Sequence, residues 1–266
     1  MSHPFHMNRT QYSVLLAALA LFLLLYLGFD TKTDKQKTSE ESRSLQAEST
    51  SLETLEADAK EHLTPTQAAE VADLEKRTEQ AGSDEARIPA LKDLSGWWYR
   101  AGQMPIAGGI AEQVATLENA DTSWSVAGAL FYNALVGSQD QTVRSYSASH
   151  AVKSFENAAS LNPDNPEHRV NLALVYAENP PPDNPMQAVL MLRELESKHP
   201  DNPAVYNALG RLAIKTGQWQ RAIDRLEKAW SLSKTNPNTP CLLAKAYEAT
   251  GNTIKAQEFA GICKSR

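Results

Sequence analysis

Two cysteines in 266 residues, Cys241 and Cys263, rule out a cysteine-rich zinc module or a scaffold stapled by many bridges. They form no CxxC and stand 22 positions apart, so no dithiol redox motif is indicated either. They read as small apolar fillers of the last helices, or as a disulfide pair if the domain lies in an oxidising compartment. There is no long basic block, and the net charge is −6, which argues against nucleic acid as the main partner. Catalytic signatures are missing too: no GxSxG, no HExxH, no P-loop and no GxGxxG after a strand. The six histidines are scattered without metal-ligand spacing, and His150 and His168 are expected on helix surfaces. No enzyme activity, cofactor or metal is therefore expected. Beta-branched residues are sparse while Ala, Leu, Glu, Lys and Gln abound, which favours helix.

One long apolar run is present. From Thr10 to Phe29 no residue is charged, around "VLLAALALFLLLYLGF". At about 1.5 Å per residue, such a helix crosses a hydrocarbon core of about 30 Å. The run ends in "LYLGFD", with Tyr26 and Phe29 where a cleaved signal peptide needs small residues. An uncleaved single-pass anchor over 10–29 is expected after a short tail at 1–9, with Tyr12 and Tyr26 as interfacial aromatics. Arg9 precedes the span, whereas Lys32, Lys35, Lys37 and Arg43 follow it, which favours a cytoplasmic carboxyl-terminal side. Export by a single amino-terminal anchor argues the reverse. The two nearly cancel, and the periplasmic side is taken by a narrow margin.

Residues 30–64 are rich in Ser, Thr, Glu, Gln and Lys and read as a polar linker or a frayed helix. An accessory helix follows over 65–87, starting near Thr64–Pro65 and ending at Gly82, where Ser83 can cap the next helix.

From residue 88 the chain is periodic. One small residue marks each first helix: Ser95, Gly128, Ala173, Gly210 and Ala244. One alanine marks each second helix: Ala107, Ala151, Ala188, Ala222 and Ala256. Within a unit the two marks lie 12, 23, 15, 12 and 12 apart, but from one unit to the next they lie 21, 22, 22 and 22 apart. The second series is nearly constant because a second helix stacks directly on the following first helix. The turn inside a unit points outward and can lengthen freely. On this reading unit three holds three extra residues around "ENPPPDNP", and unit two about eleven around "VGSQDQTVRSYS". Gly217 and Gly251 are expected to end first helices, and Pro163 and Pro200 to close units.

These residues resemble the tetratricopeptide repeat, a helix–turn–helix unit of 34 residues. The stretch 206–232 meets the pattern at Tyr206, Leu209, Gly210, Gly217, Ala222, Leu226 and Ala229. Its neighbours meet it through Leu172, Ala173, Tyr176, Ala188 and Leu192 on one side, and through Leu243, Ala244, Tyr247, Gly251 and Ala256 on the other. Trp124, Gly128, Phe131, Ala151 and Phe155 carry an earlier unit, and the first, around "LSGWWYRAGQMPIAGG", is degenerate. The resemblance implies an all-α superhelix over 88–266, in five units: 88–120, 121–165, 166–202, 203–236 and 237–266. Anchor, polar spacer and "NPMQ" insertion are similar to bacterial membrane-tethered repeat proteins, a likeness that implies a bacterial inner membrane but no particular activity.

The same resemblance implies that the inner face of the first helices receives a protein or peptide. In register, Asn171, Leu174, Asn207, Arg211, Lys215, Lys245 and Glu248 fall there, and Arg211, Lys215 and Lys245 could hold an acidic segment. The carboxylate clamp of chaperone-binding relatives is not expected, since Ala204 and Ala208 stand where it needs basic residues. Of the two tryptophans in "GWWY", Trp98 is expected in the core and Trp97 exposed to a partner. The chain so read is a membrane-tethered scaffold. The alternative is a structural subunit of a larger membrane assembly that makes contact through the outward insertion at 139–147.

Overall fold

The computed structural model describes residues 50–265 together with Tyr12. The tail at 1–9 and the anchor expected over 10–29 lie outside the span 50–265. Among the described residues no helix is long and apolar enough to cross a membrane. Within 50–265 the chain forms twelve α-helices and no strand. They are α1 (Leu52–Glu61), α2 (Pro65–Glu79), α3 (Asp84–Arg100), α4 (Met104–Glu118), α5 (Asp121–Gly137) and α6 (Gln141–Leu161). Then come α7 (Pro166–Glu178), α8 (Gln187–Lys198), α9 (Pro203–Lys215), α10 (Trp219–Leu232), α11 (Asn238–Ala249) and α12 (Thr253–Lys264). From α3 onward they pair as five hairpins.

Local chemistry sets the boundaries. Asn165 and Asn202 accept from the N–H groups of Glu167 and Ala204, and a proline follows each as the first helical residue, where its missing N–H has no helical partner to lose. Thr64 and Gln67 form a reciprocal capping box before α2. Three hairpin turns share one device. Gly217 has φ 70°, its N–H reaches the Ile214 carbonyl at 3.1 Å, and the next N–H reaches Ala213 at 2.8 Å. Gly251 repeats this with Glu248 and Tyr247, and so does Gly102, in the degenerate first unit, with Tyr99 and Trp98.

The extra residues divide differently from the expectation of outward loops. In the unit at 203–236 the helices have 13 and 14 residues; in the unit at 121–165 they have 17 and 21. All eleven extra residues are thus helical, and the turn stays at three residues, Ser138 to Asp140. The stretch 141–147 forms the first turns of α6, with Asp140 accepting from Thr142 and Val143. In the third unit the added length is an eight-residue loop, Asn179 to Met186, beside a shorter α8.

Close packing explains the small residues. A Cβ on Gly210 would lie 2.5 Å from Leu226, and one on Gly128 would lie 2.8 Å from Phe155, so each glycine admits the large residue of its partner helix. In the first unit the marker Ser95 donates to the carbonyl of the marker Ala107 at 2.9 Å. Apolar clusters run from hairpin to hairpin rather than forming one centre, as stacking of neighbours requires.

Two ends are elaborated. Residues 52–61, inside the expected polar linker, form α1, because Leu52, Leu55 and Ala59 pack into the first core cluster and Leu52 sits against Gly109. Helix α2 packs on α3 and covers Trp97. Both tryptophans are consequently buried, 9% and 0% exposed, and the Trp97 indole N–H donates to Glu70 at 2.8 Å. The exposed ring expected at Trp97 is not found, because α2 lies over it. At the other end Cys241 and Cys263 form a disulfide that joins α11 to α12.

Candidate functional site

The two rows of helices differ in spacing. First helices α5, α7, α9 and α11 each pack on the next, whereas among second helices only α4 and α6 approach comparably. A row in tight contact lies on the inner side of a curve, so the first helices line the concave face. Between the first two hairpins the pattern inverts: α4 closes on α6, while α3 stands off from α5.

The inversion has a visible cause. Glu112 on α4, its side chain only 10% exposed, meets His150 Nδ1 of α6 at 2.6 Å and also binds Lys153. Burial pushes the Glu112 carboxyl up, but the hydrogen bonds from His150 and Lys153 outweigh it and hold the pKa below the ordinary range. His150 is thus half-buried and stacked beside Tyr146 and Phe131 rather than on an open surface.

Between α3 and α5 this leaves a groove of about 950 Å³. Ala111 and Val114 of α4 line its floor, Tyr99 and Gly96 one wall, Val126 and Leu130 the other. Tyr99 is 50% and Val126 56% exposed, so two large side chains of this groove stand open to water. The charged lining residues Lys92 and Glu118 pair with each other at 2.6 Å, and Glu118 also accepts from Ser123.

Toward the carboxyl terminus the inner face is closed by its own side chains. Arg211 of α9 reaches over α7 to the Tyr132 hydroxyl of α5 at 2.8 Å, its guanidinium 5.6 Å from the ring centre. Lys215 binds the Ala177 carbonyl at 2.6 Å and Glu178 at 2.7 Å, at the end of α7. Asn207 is buried and donates to Thr239 of α11 at 2.6 Å. Asn171 is half-buried on α7, and Lys245 is exposed on α11. The expected binding residues thus share the inner row, but three of the five are engaged in joining neighbouring units.

His168, expected at a surface, is 3% exposed between α5 and α7. Its Nδ1 lies 2.7 Å from Ser125 Oγ and its Nε2 lies 2.9 Å from Asp121, whose carboxylate also accepts from Asn162 and is held below its ordinary pKa, first by Asn162 and then by His168. This Ser–His–Asp order resembles a nucleophilic relay. Ser125, however, lies inside α5, where backbone N–H groups are committed to the helix and cannot form an oxyanion hole. The cluster joins units two and three. Among the described residues no group of three or more His, Cys, Asp or Glu could hold a metal ion.

The groove was missed in the sequence because Tyr99, Val126 and Leu130 look like core residues of an amphipathic helix. The available signal was α5 itself, which carries no charge after Asp121.

No protein-family profile and no curated protein sequence matches the chain. Among solved structures it is similar to a thermophilic TPR protein of Thermus thermophilus, at 18% identity over 68% of this chain and 90% of that one, with a TM-score of 0.48. It is also similar to BtubC from P. vanneervenii, at 15% identity over 76% and 91% of the two chains with a TM-score of 0.47. A third is MamA from Desulfovibrio magneticus, at 17% identity over 70% and 96% with a TM-score of 0.41. The repeat residues and the stacked hairpins they build make the described domain a helical array of the tetratricopeptide type.

Proposed function

We propose that this chain is a membrane-tethered scaffold that holds a partner protein on the open amino-terminal part of its first-helix face. The observation that carries this reading is the groove between α3 and α5, where large apolar side chains remain exposed although neighbours could have covered them. Binding at the strip of Arg211, Lys215 and Lys245 would first have to displace the contacts of Arg211 and Lys215 with Tyr132 and Glu178. That costs affinity and favours the open groove.

Residues 10–29 supply the tether, and the repeat domain lies on the periplasmic side. The Cys241–Cys263 bridge supports that side, because disulfides persist in oxidising compartments and are rare where thiols are kept reduced. The test is crosslinking in native membranes with a photoreactive residue in place of Tyr99, compared with one in place of Gln220 on α10. Capture of one discrete protein from position 99 alone is expected. Equal capture from both positions would refute the assignment. Thiol labelling in intact cells checks the side: both cysteines should stay unlabelled until reductant is added.

A further inference from the structure

The exposed face of α5 extends well past the groove. Thr122, Val126, Ala129, Asn133 and Val136 are all exposed and recur every three or four residues, so they form one stripe. The stripe spans about 21 Å. It contains no charge, and α5 as a whole has none after Asp121. Across the groove Tyr99 and Ser95 face it, and Gly96 supplies no side chain at all. The charges at the rim, Lys92 and Glu118, are already paired with each other.

We infer that the occupant is a partner helix of about 14 residues, lying along α5 with an uncharged apolar stripe turned toward it. Electrostatics makes this selection. A cationic side chain buried against α5 would find Glu118 already taken by Lys92 and the Arg100 guanidinium beside Gly96 repelling it, so its desolvation would be uncompensated. An uncharged ridge of Leu-sized side chains at i, i+4, i+7 and i+11 meets no such penalty and removes Tyr99, Val126 and Leu130 from water. The gap above Gly96 accepts the largest of them: a Cβ there would touch only the end of Arg100, at 3.4 Å. The extension of α5 toward Gly137 adds to this face the turn that carries Val136.

This assignment rests on the scaffold reading, and the experiment separates the two. The probe is a synthetic 14-residue amphipathic peptide (sized at about 1.5 Å per residue) with leucines at the four stripe positions. It is captured by the full-length chain with a photoreactive residue in place of Ala129. Controls are a scrambled peptide of the same composition and one carrying lysine at the second stripe position. Capture of the striped peptide alone is expected. It should fall about tenfold or more in Gly96→Leu, which fills the gap, and in Val126→Glu, and stay unchanged in Arg211→Glu with Lys215→Glu. Both groove changes sit at positions with open space or exposed, so the helices should form, and circular dichroism of each variant checks this. Equal capture of the scrambled or lysine peptide, or capture indifferent to Gly96→Leu, would overturn the helix assignment. If the peptide fails while the native partner crosslinked in membranes is still lost in Gly96→Leu, the helix is wrong and the groove stands. If both fail, both readings fall.

Discussion

Gly210→Ala tests the packing rule on which the repeat depends. The added Cβ would lie 2.5 Å from Leu226 Cγ and 2.7 Å from its Cδ2. Ordinary carbon contacts lie at about 3.5–4.0 Å, so α9 and α10 must part by roughly an ångström, or Leu226 must leave its rotamer. Leu226 is fully buried, which leaves it little room to turn. Overpacking of this kind costs about 1–3 kcal/mol. Against it, alanine in a helix interior gains about 1 kcal/mol over glycine. The net expectation is a loss of about 0–2 kcal/mol by those two figures. Gly96→Ala is the control: it has the same propensity gain, but its Cβ meets only the Arg100 guanidinium at 3.4 Å, so it should stabilise by about 1 kcal/mol. Urea unfolding followed by circular dichroism gives both values, and hydrogen exchange should place the Gly210 loss in α9 and α10. Two substitutions of identical chemistry should therefore differ in stability by about 1–3 kcal/mol. Should Gly210→Ala stabilise as much as Gly96→Ala, close approach is not what the glycine provides.

Ser147 and Ser154 on α6 are fully buried, and their hydroxyls have no hydrogen-bond partner among the described residues, so Ser154→Ala should raise stability by about 1 kcal/mol in thermal melts. Reducing Cys241–Cys263, which closes a segment of 22 residues, should destabilise the last hairpin by about 3 kcal/mol, read as faster hydrogen exchange in α11 and α12 with little change before α9. Because the Glu112 pKa is lowered on folding, its stabilising contribution is present above the unfolded value of about 4.3 and is lost as pH falls through the folded one. Glu112→Gln should therefore flatten the stability profile below about pH 4 while wild type keeps its slope there. Asn207→Leu leaves the Thr239 hydroxyl buried without its donor and should cost about 1–3 kcal/mol in denaturant unfolding.

The repeat was legible because its spacing records direct contact. Gly210, Gly128 and Leu226 sit where stacking demands them, and no distant residue is needed to see it. How the extra residues fold was also written locally, though it was read as slack. Between Ser138 and Leu161 there is neither proline nor glycine, so the added length in unit two continued as helix, while four prolines between Asn179 and Met186 forced a loop. Register put Arg211 and Lys215 on the inner row but could not show what they meet, because Tyr132 and Glu178 lie 79 and 37 residues away. Trp97 failed for a similar reason: α2 covers it, and Glu70, 27 residues earlier, takes its N–H. Helix phase fixes which way a side chain points, and tertiary neighbours decide whether solvent is there.

The groove and the Glu112 cluster belong to one mechanical unit. A stack of hairpins bends toward whichever row is held more tightly. From α5 to α11 the inner row is held by Arg211, Lys215 and Asn207, and that face closes. At the first junction the outer row is held instead, by Glu112 with His150 and Lys153, so α3 swings away from α5. The open groove is thus maintained from the opposite side of the array, by residues that touch no ligand. Loosening Glu112 should let α3 settle toward α5 and cover Val126, lowering capacity for a partner while leaving every groove residue in place. The same clasps that exclude a partner from the carboxyl-terminal half leave the amino-terminal half free to receive one.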